Sequence, residues 1–486
     1  MEFIPAWLAL TLLTTEWALR IGLAIRVMTS RRAVPTSLAW IAVLLMAPVV
    51  GIFVYLLIGE NRLGSRRAAR HRSAVDTLSA EAAARWRAGD HDWTDECLPY
   101  KPIATLASHV GLLPPLRGNS IEIIGDSKVF IDRLVADIDA ATTRVHILTY
   151  IWMTRGAGVA VGEALVRAVK RGVTCRVLAD GVGSRPFFKS PLHQRMRRAG
   201  VEVYPALPVN PIRALFARID LRNHRKIATI DGRIAYTGSQ NIADTSFKFS
   251  PKSGVGPWVD ASVRVVGPAA QALEVVFLHD WLIDTPASEI NLDEIMVEMD
   301  FPGNGSTVHV VPSMPGRDLN AVYEAVVAAI YMAREEIILT TPYFVPDASM
   351  WSALRAACLR GVQLSIVLPA INDSPLVGAA SRASYQYLLE VGAEIHEFNK
   401  GLLHAKILTI DRHIGLIGSA NFDVRSFWLN FEISLFIYDS DVASQLRFLQ
   451  KHYMQDSTQV TAEVWSKRNV FRRMLEDTAR LAGPLL

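Results

Sequence analysis

Two long apolar runs open the chain, and beyond them the spacing of apolar positions alternates between the strand period and the helix period. Leu38 to Ile58 is a run of 21 residues without one charge. That is long enough to cross the apolar core of a bilayer as a helix, and membrane helices tolerate internal residues such as Pro48 and Gly51. The earlier run, Ile4 to Ile25, carries Glu16 and Arg20, one helical turn apart on a shared face where they can pair. It too is predicted to span, with lying in the interface as the alternative. Residues 1–60 are thus predicted to form a membrane anchor of two segments, about 4–25 and 38–58. A basic, helical linker follows over 61–115, with an Ala-rich surface helix from about Ser73 to Arg87 and the punctuation LPYKPI and LLPPLRGN.

Strand and helix patterns then alternate. Val145–Trp152 and Thr174–Leu178 read as strands, Gly158–Arg171 and Ser190–Ala199 as helices. The second half answers in the same order, with strands Glu336–Thr341 and Leu364–Leu368 and helices Ser349–Arg360 and Ala383–Val391. The predicted fold class is α/β: two pseudo-symmetric domains with mixed sheets around a shared site, residues 116–300 and 301–486, divided near Pro302-Gly303-Asn304-Gly305. One difference separates the halves. Glu202 to His224 spans 22 residues, whereas Glu394 to His404 spans ten. The longer stretch, PALPVNPIRALFARIDLR, mixes apolar, aromatic and basic residues; it is either an ordinary packed loop or a lip that touches lipid.

The halves also share wording. NHRKIATIDGRIAYTGSQN, from Asn223 to Asn241, returns as LHAKILTIDRHIGLIGSAN, from Leu403 to Asn421. Shifted by 180 positions, His224 to Asn241 matches His404 to Asn421 at ten of 18 places without a gap. Unrelated segments would share roughly one. Such a repeat implies two domain-sized units, each donating one copy to a shared centre.

Each copy holds His-x-Lys, four residues and an Asp: His224, Lys226 and Asp231, then His404, Lys406 and Asp411. Neighbouring apolar residues favour a strand, on which positions i and i+2 point the same way. Gly-Ser-x-Asn follows, with Ser239 and Asn241 in one copy and Ser419 and Asn421 in the other. Two lysines, two hydroxyls and two amides make a cage for a phosphate group without a metal. Two imidazoles facing each other suit in-line displacement at phosphorus. One attacks as the neutral form, and the other, protonated, serves the leaving oxygen and then the acceptor. Metal binding by the histidines is disfavoured, because a lysine two residues on repels cations.

Charge and cysteine content narrow the partners. A net charge of +4 does not mark a nucleic-acid binder. Cys97, Cys175 and Cys358 are too scattered for a zinc site or disulfide framework. Arg26, Arg31 and Arg32 lie between the apolar runs, and Arg62, Arg66, Arg67, Arg70 and Arg72 follow the second. The larger cluster is expected to stay in the cytoplasm, with the catalytic part behind it. A homo-oligomer is neither signalled nor excluded.

The twin HxKxxxxD motifs resemble those of the phospholipase D superfamily. The stretches NFDVRSFWLNFE, SLAWIAVLLMAPVVGIFVYLLIGENR and ARLAGPLL are similar to its bacterial cardiolipin synthase branch. The resemblance implies a multi-pass phosphatidyltransferase of the cytoplasmic membrane, with no cofactor. It would take the phosphatidyl group of one phosphatidylglycerol, release glycerol and pass the group to a second to give cardiolipin. It implies His224 as nucleophile, His404 as general acid and base, the lysines and asparagines on phosphate, and Asp260 and Glu432 as orienting carboxylates for the histidines. Asp231 and Asp411 are expected to support the motif. Rival readings are a hydrolase or a transferase using another lipid such as phosphatidylethanolamine, a membrane-anchored nuclease, and a scaffold without activity.

Overall fold

The computed structural model describes residues 5–481 apart from 31–33, 61–62, 64–66, 68, 71–77, 87–92, 210–217, 248–253, 287–289, 291–294, 297–304 and 317–319. Several sequence expectations lie outside the described residues: Arg31, Arg32, Arg62, Arg66 and Arg72, the start of the predicted surface helix, the middle of the 205–222 stretch, and Pro302 to Asn304 of the domain boundary.

The anchor inverts the expectation for its two runs. The charge-bearing first run forms a continuous helix, Ala6–Thr29, of 24 residues, and it is the described helix long and apolar enough to cross a membrane. Its Trp7, Leu10, Leu13, Trp17, Ile21 and Met28 side chains are exposed, the pattern of a helix with lipid as its solvent. Arg20 Nη2 donates to Glu16 Oε1 at 2.8 Å, so the two charges are presented as a pair. The cleaner run is broken into helix Val34–Met46, a turn at Pro48–Val49, helix Val50–Val54 and a wide turn over Tyr55–Gly59. The cause is local. Pro48 has no N–H to give the helix, and Val49 takes a left-handed φ of 55°. A Cβ on Gly51 would sit 2.4 Å from the Val43 carbonyl oxygen, so the chain folds back where only glycine fits.

The rest is built on one 16-stranded sheet. The first half supplies β1 (Leu116–Ile124), β2 (Arg144–Thr149), β3 (Thr174–Asp180), β4 (Glu202–Ala206), β5 (Ile227–Ile230), β6 (Ile234–Gly238) and β7 (Ser262–Val266). The second supplies β8 (Ser306–Ser313), β9 (Glu336–Thr340), β10 (Gln363–Pro369), β11 (Glu394–Phe398), β12 (Ile407–Ile410), β13 (Ile414–Gly418), β14 (Asn430–Tyr438) and β15 (Ser457–Val460). Fifteen strands run in the order β15-β11-β10-β9-β12-β13-β14-β8-β1-β7-β6-β5-β2-β3-β4, and the two-residue strand Arg222–Asn223 hangs off β14. Outward from the β8–β1 seam, each half repeats the same sequence of strands, which is the pseudo-two-fold relation the doubled motif implied. At the seam the strands are antiparallel, with Leu116 opposite Val308 and Asn119 opposite Ser306.

Parallel neighbours need helical crossovers. Ala157–Lys170 joins β2 to β3 and Ala348–Leu359 joins β9 to β10, within two residues of the predicted helices. The predicted helix Ala383–Val391 is instead a pair, Pro375–Ala383 and Tyr385–Glu390. The earlier start was written in Ser374-Pro375, an N-cap followed by a first-turn proline, and Ser374 does accept from Val377 N. Behind the first half runs Pro268–Asp284, with 15 of 17 residues buried.

Asp231 and Asp411 lie at tight turns, both with left-handed φ (53° and 52°). Asp231 accepts from the backbone N–H groups of Thr142, Thr143 and Arg144 and from both threonine hydroxyls. Burial opposes ionisation there, but these donors outweigh it and hold the carboxyl down at about 2. Asp411 accepts from Arg334, Glu335 and Glu336 N–H groups and from Tyr100 Oη at 2.6 Å. Both therefore clamp the β5–β6 and β12–β13 hairpins to the starts of β2 and β9. Asp231→Ala is expected to cost about 2–4 kcal/mol of stability, with turnover per folded molecule within about threefold, read by chemical denaturation alongside activity. A loss of turnover without a loss of stability would make the residue chemical after all.

Candidate functional site

The two His-x-Lys segments are extended, but they precede β5 and β12 rather than lying on them. What fixes them is a crossed pairing between halves. Arg222–Asn223 pairs with Asn430–Phe431, and Leu402–Leu403 pairs with Trp258–Val259. His224 N then donates to Phe431 O at 2.9 Å and His404 N to Val259 O at 2.7 Å. Each histidine is carried onto the strand of the opposite half and meets the carboxylate one or two residues further on. His224 Nδ1 lies 3.0 Å from Glu432 Oε1, and His404 Nδ1 lies 2.6 Å from Asp260 Oδ1. In both, Nδ1 is engaged and Nε2 remains for chemistry.

The lysines reach back to the backbone of their own motif. Lys226 Nζ donates to His224 O at 2.6 Å and Lys406 Nζ to His404 O at 2.5 Å; both side chains are buried. The serines do not face the substrate space, contrary to a phosphate-binding role. Ser239 Oγ donates to Asp260 Oδ1 at 2.7 Å and Ser419 Oγ to Glu432 Oε2 at 2.5 Å, so they hold the carboxylates that hold the histidines. The asparagines do face it. Asn241 accepts from Ile151 N through Oδ1, and its Nδ2 is buried without a partner. An unpaired buried donor costs about 1–3 kcal/mol, a cost that an entering phosphate oxygen would remove.

A cavity of about 250 Å³ has His224, His404, Asn241 and Asn421 in its wall, with the two lysines buried behind it. Trp258, Ile151 and Val377 make part of the wall apolar, whereas Arg222, Asp423 and Arg425 make the rest charged. The last three were not singled out from the sequence. Their signal was an asymmetry: 180 positions upstream, Asp423 and Arg425 correspond to Ala243 and Thr245. Arg225 was also overlooked. It is buried, pairs with Asp280 at 2.7 Å and donates through Nε to Glu432 O at 3.0 Å, so it fixes the backbone of the carboxylate that fixes His224. The second motif has Ala405 there. Among the described residues, no group of three or more His, Cys, Asp or Glu could hold a metal ion.

Electrostatics acts in the same direction on the two histidines. Burial pushes His224 down to about 4, with Glu432 resisting and Lys226 adding to the fall. Burial and then Lys406 push His404 down to about 3, against the pull of Asp260. Burial thus favours the neutral imidazole at both positions. Burial also lowers Lys226 to about 8 and Lys406 to about 7. Burial acts to raise Asp260 and Glu432, but the histidine, lysine and serine partners of each together outweigh it and hold both below the usual carboxylate range. The two ammonium groups are then matched by the Asp260 and Glu432 carboxylates, and a phosphodiester in the cavity adds negative charge that favours protonated lysines and a protonated histidine. In kcat/KM, which reports the free enzyme, the acid limb should fall near pH 4 rather than near 6.5, and decline should begin above about pH 7 as the lysines lose charge. An acid limb at 6–7 would contradict this. Stability follows the same groups. The unfolded chain binds more protons than the folded one between about 4 and the ordinary histidine value, so stability rises with pH across that window.

The family comparisons agree with this geometry. The family model described as "Cardiolipin synthase, PLD-like domain" matches residues 134–281 and 326–452, and "Phospholipase D-nuclease N-terminal" matches residues 18–60. The chain is 38% identical over 495 aligned positions to cardiolipin synthase A of Shigella boydii serotype 4 (strain Sb227), covering 99% of both chains. It is 39% identical over 482 positions to cardiolipin synthase A of Salmonella arizonae, covering 97% of each. The crystal structure of phosphatidylserine synthase from Haemophilus influenzae Rd KW20 shares the fold, with a TM-score of 0.61 at 16% identity, across 79% of this chain and 100% of that one. With both His-Lys motifs intact across its two halves, the chain belongs to the cardiolipin synthase family of the phospholipase D superfamily.

Proposed function

We propose that this enzyme, a phosphatidyltransferase, makes cardiolipin from two molecules of phosphatidylglycerol through a phosphohistidine. The observation that carries the reading is the crossed pair of histidine–carboxylate couples on one cavity, with two buried lysines behind it. His224 Nε2 attacks phosphorus while Lys226, Lys406, Asn241 and Asn421 hold the non-bridging oxygens. The phosphate charge raises the basicity of His404, which takes up a proton, gives it to the departing glycerol oxygen and then removes one from the acceptor hydroxyl. Phosphate charge and acid protonation therefore arrive together.

The asymmetric wall suits the acceptor. A second phosphatidylglycerol brings its own phosphodiester, for which Arg425 and Arg222 are the cavity-wall cations, and hydroxyls that Asp423 can accept from. Arg425→Ala should lower transfer to phosphatidylglycerol about tenfold or more, with release of phosphatidic acid by water kept, and Arg425→Lys should restore part of the loss. Equal loss of both products would remove the acceptor role.

Residues 116–300 and 301–486 are the two phospholipase D-like domains in this reading. The N-terminal residues form a hairpin in the cytoplasmic membrane, with the catalytic part in the cytoplasm. The five-to-three excess of arginines after the second apolar run supports that orientation. The deciding experiment supplies detergent-purified enzyme with phosphatidylglycerol as sole lipid, a chelator and no added metal, followed by mass spectrometry. Cardiolipin plus glycerol is expected. Phosphatidic acid plus glycerol would make water the acceptor, and no turnover would move the search to phosphatidylethanolamine as donor.

A further inference from the structure

The helix Val470–Leu481 is amphipathic, but it is seated the wrong way round for a soluble domain. Its buried residues are Glu476 and Ala479. Glu476 is held there by Arg468 and by Arg472 at 3.3 Å. Val470, Phe471, Met474, Leu475 and Leu481 are instead 62–81% exposed. At 100° per residue these five side chains fill an arc of about 140°. A surface helix ordinarily turns such an arc to the core; here it is presented outward. Large exposed apolar patches mark interaction sites.

Charge and position identify what covers it. Between Lys467 and Leu481 there are five basic residues and two acidic ones. Arg473 reaches Gln386 at 3.2 Å and Arg480 lies over Tyr387 at 5.6 Å, so both arginines are on the side of the helix that meets the protein. An outward face of Phe, Met and Leu on a helix with a basic excess is the composition of a helix lying in the headgroup region of an anionic bilayer. The helix packs on Pro375–Ala383 through Ala479, Ala380 and Val377, and Val377 lines the catalytic cavity. Arg222 also lines the cavity. Beside it, Leu221 clusters with Leu63, and Ile219 N donates to Leu57 O at 3.4 Å, at the end of the anchor. The cavity lining is therefore tied to the anchor through the residues next to Arg222 and to this helix through Val377.

We propose that Val470–Leu481 is a second membrane contact, lying in the headgroup–acyl boundary of bilayers that contain anionic phospholipid, and that it seats the cavity mouth on the lipid surface. The anchor ties the enzyme to the membrane; the helix orients it. The readout must be independent of activity, because the lipid-transferase reading could fail on its own. The full-length protein is reconstituted in vesicles of phosphatidylcholine with about one third phosphatidylglycerol, carrying a nitroxide on Met474→Cys in a Cys358→Ser background. Collisions with oxygen should exceed those with a water-soluble nickel complex, at the depth of about 5–10 Å of an interfacial helix. A label reached freely by the aqueous nickel complex overturns the proposal. Separately, Phe471→Glu with Leu475→Glu touches two exposed residues. Cardiolipin formation in detergent micelles should stay within about twofold of the unchanged protein, while formation in vesicles falls about tenfold or more. Equal activity in vesicles, or an equal loss in both, would also overturn it.

Discussion

His224→Ala forms no covalent phosphoenzyme and loses transfer on the order of 10⁴-fold or more. His404→Asn also turns over poorly, yet it traps the phosphatidyl group on His224. The expectation rests on the different partners of two similar imidazoles. The His224 ring is engaged at Nδ1 by Glu432, and burial lowers it to about 4, so a neutral Nε2 lone pair is present at any physiological pH. Without His404 the glycerol oxygen leaves unaided and slowly, and the acceptor hydroxyl then has no base, so the second half-reaction stalls harder than the first. Rapid quench with lipid labelled at phosphorus separates the cases, because phosphohistidine is labile to acid and stable to base. Label retained on His224→Ala and absent from His404→Asn would exchange the two roles.

Much of the site was legible because it was written twice. The repeat located both histidines and both lysines, and the strand-like spacing around them gave the extended segments that precede β5 and β12. What a linear reading lacks is the partner of each element. Glu432 is nearer in sequence to His404 than to His224, and nothing in the spacing says that Arg222–Asn223 pairs with Asn430–Phe431 across the halves. The serines illustrate the same limit. A hydroxyl in a Gly-Ser-x-Asn segment can face substrate or carboxylate with equal local plausibility, and only the tertiary hydrogen bonds to Asp260 and Glu432 decide it. Protonation is not legible in the sequence because it depends on burial, and a sequence does not state how far two imidazoles and two ammonium groups are removed from water. In the anchor, absence of charge made the second run look continuous, whereas backbone geometry at Pro48–Val49 outweighs hydropathy in setting where a helix ends.

Glu432→Gln and Asp260→Asn each reduce cardiolipin formation by about 10²–10⁴-fold, as loss of an orienting carboxylate does elsewhere, but they fail at different steps. Both replacements preserve shape, and Ser419 and Ser239 remain as hydroxyl donors, so the fold is retained. The crossing of the halves means that Glu432 acts through His224 and Asp260 through His404, the reverse of their order along the chain. A donor with an activated leaving group, such as a nitrophenyl phosphodiester of a lipid alcohol, tests this directly, because its departure needs no acid. On that donor Asp260→Asn keeps a burst of nitrophenol close to one per enzyme and then stalls, since the neutral nucleophile is intact and only the acid–base histidine is misaligned. Glu432→Gln shows no burst, because the ring that must attack has lost the acceptor for its Nδ1 proton and samples the wrong tautomer. The opposite pattern, a burst with Glu432→Gln and none with Asp260→Asn, would mean that each carboxylate serves the histidine of its own half and that the crossed contacts do not carry the chemistry. The result expected here makes the catalytic unit indivisible: neither half contains a complete nucleophile or a complete acid, so the seam between β1 and β8 is as necessary to turnover as the histidines themselves.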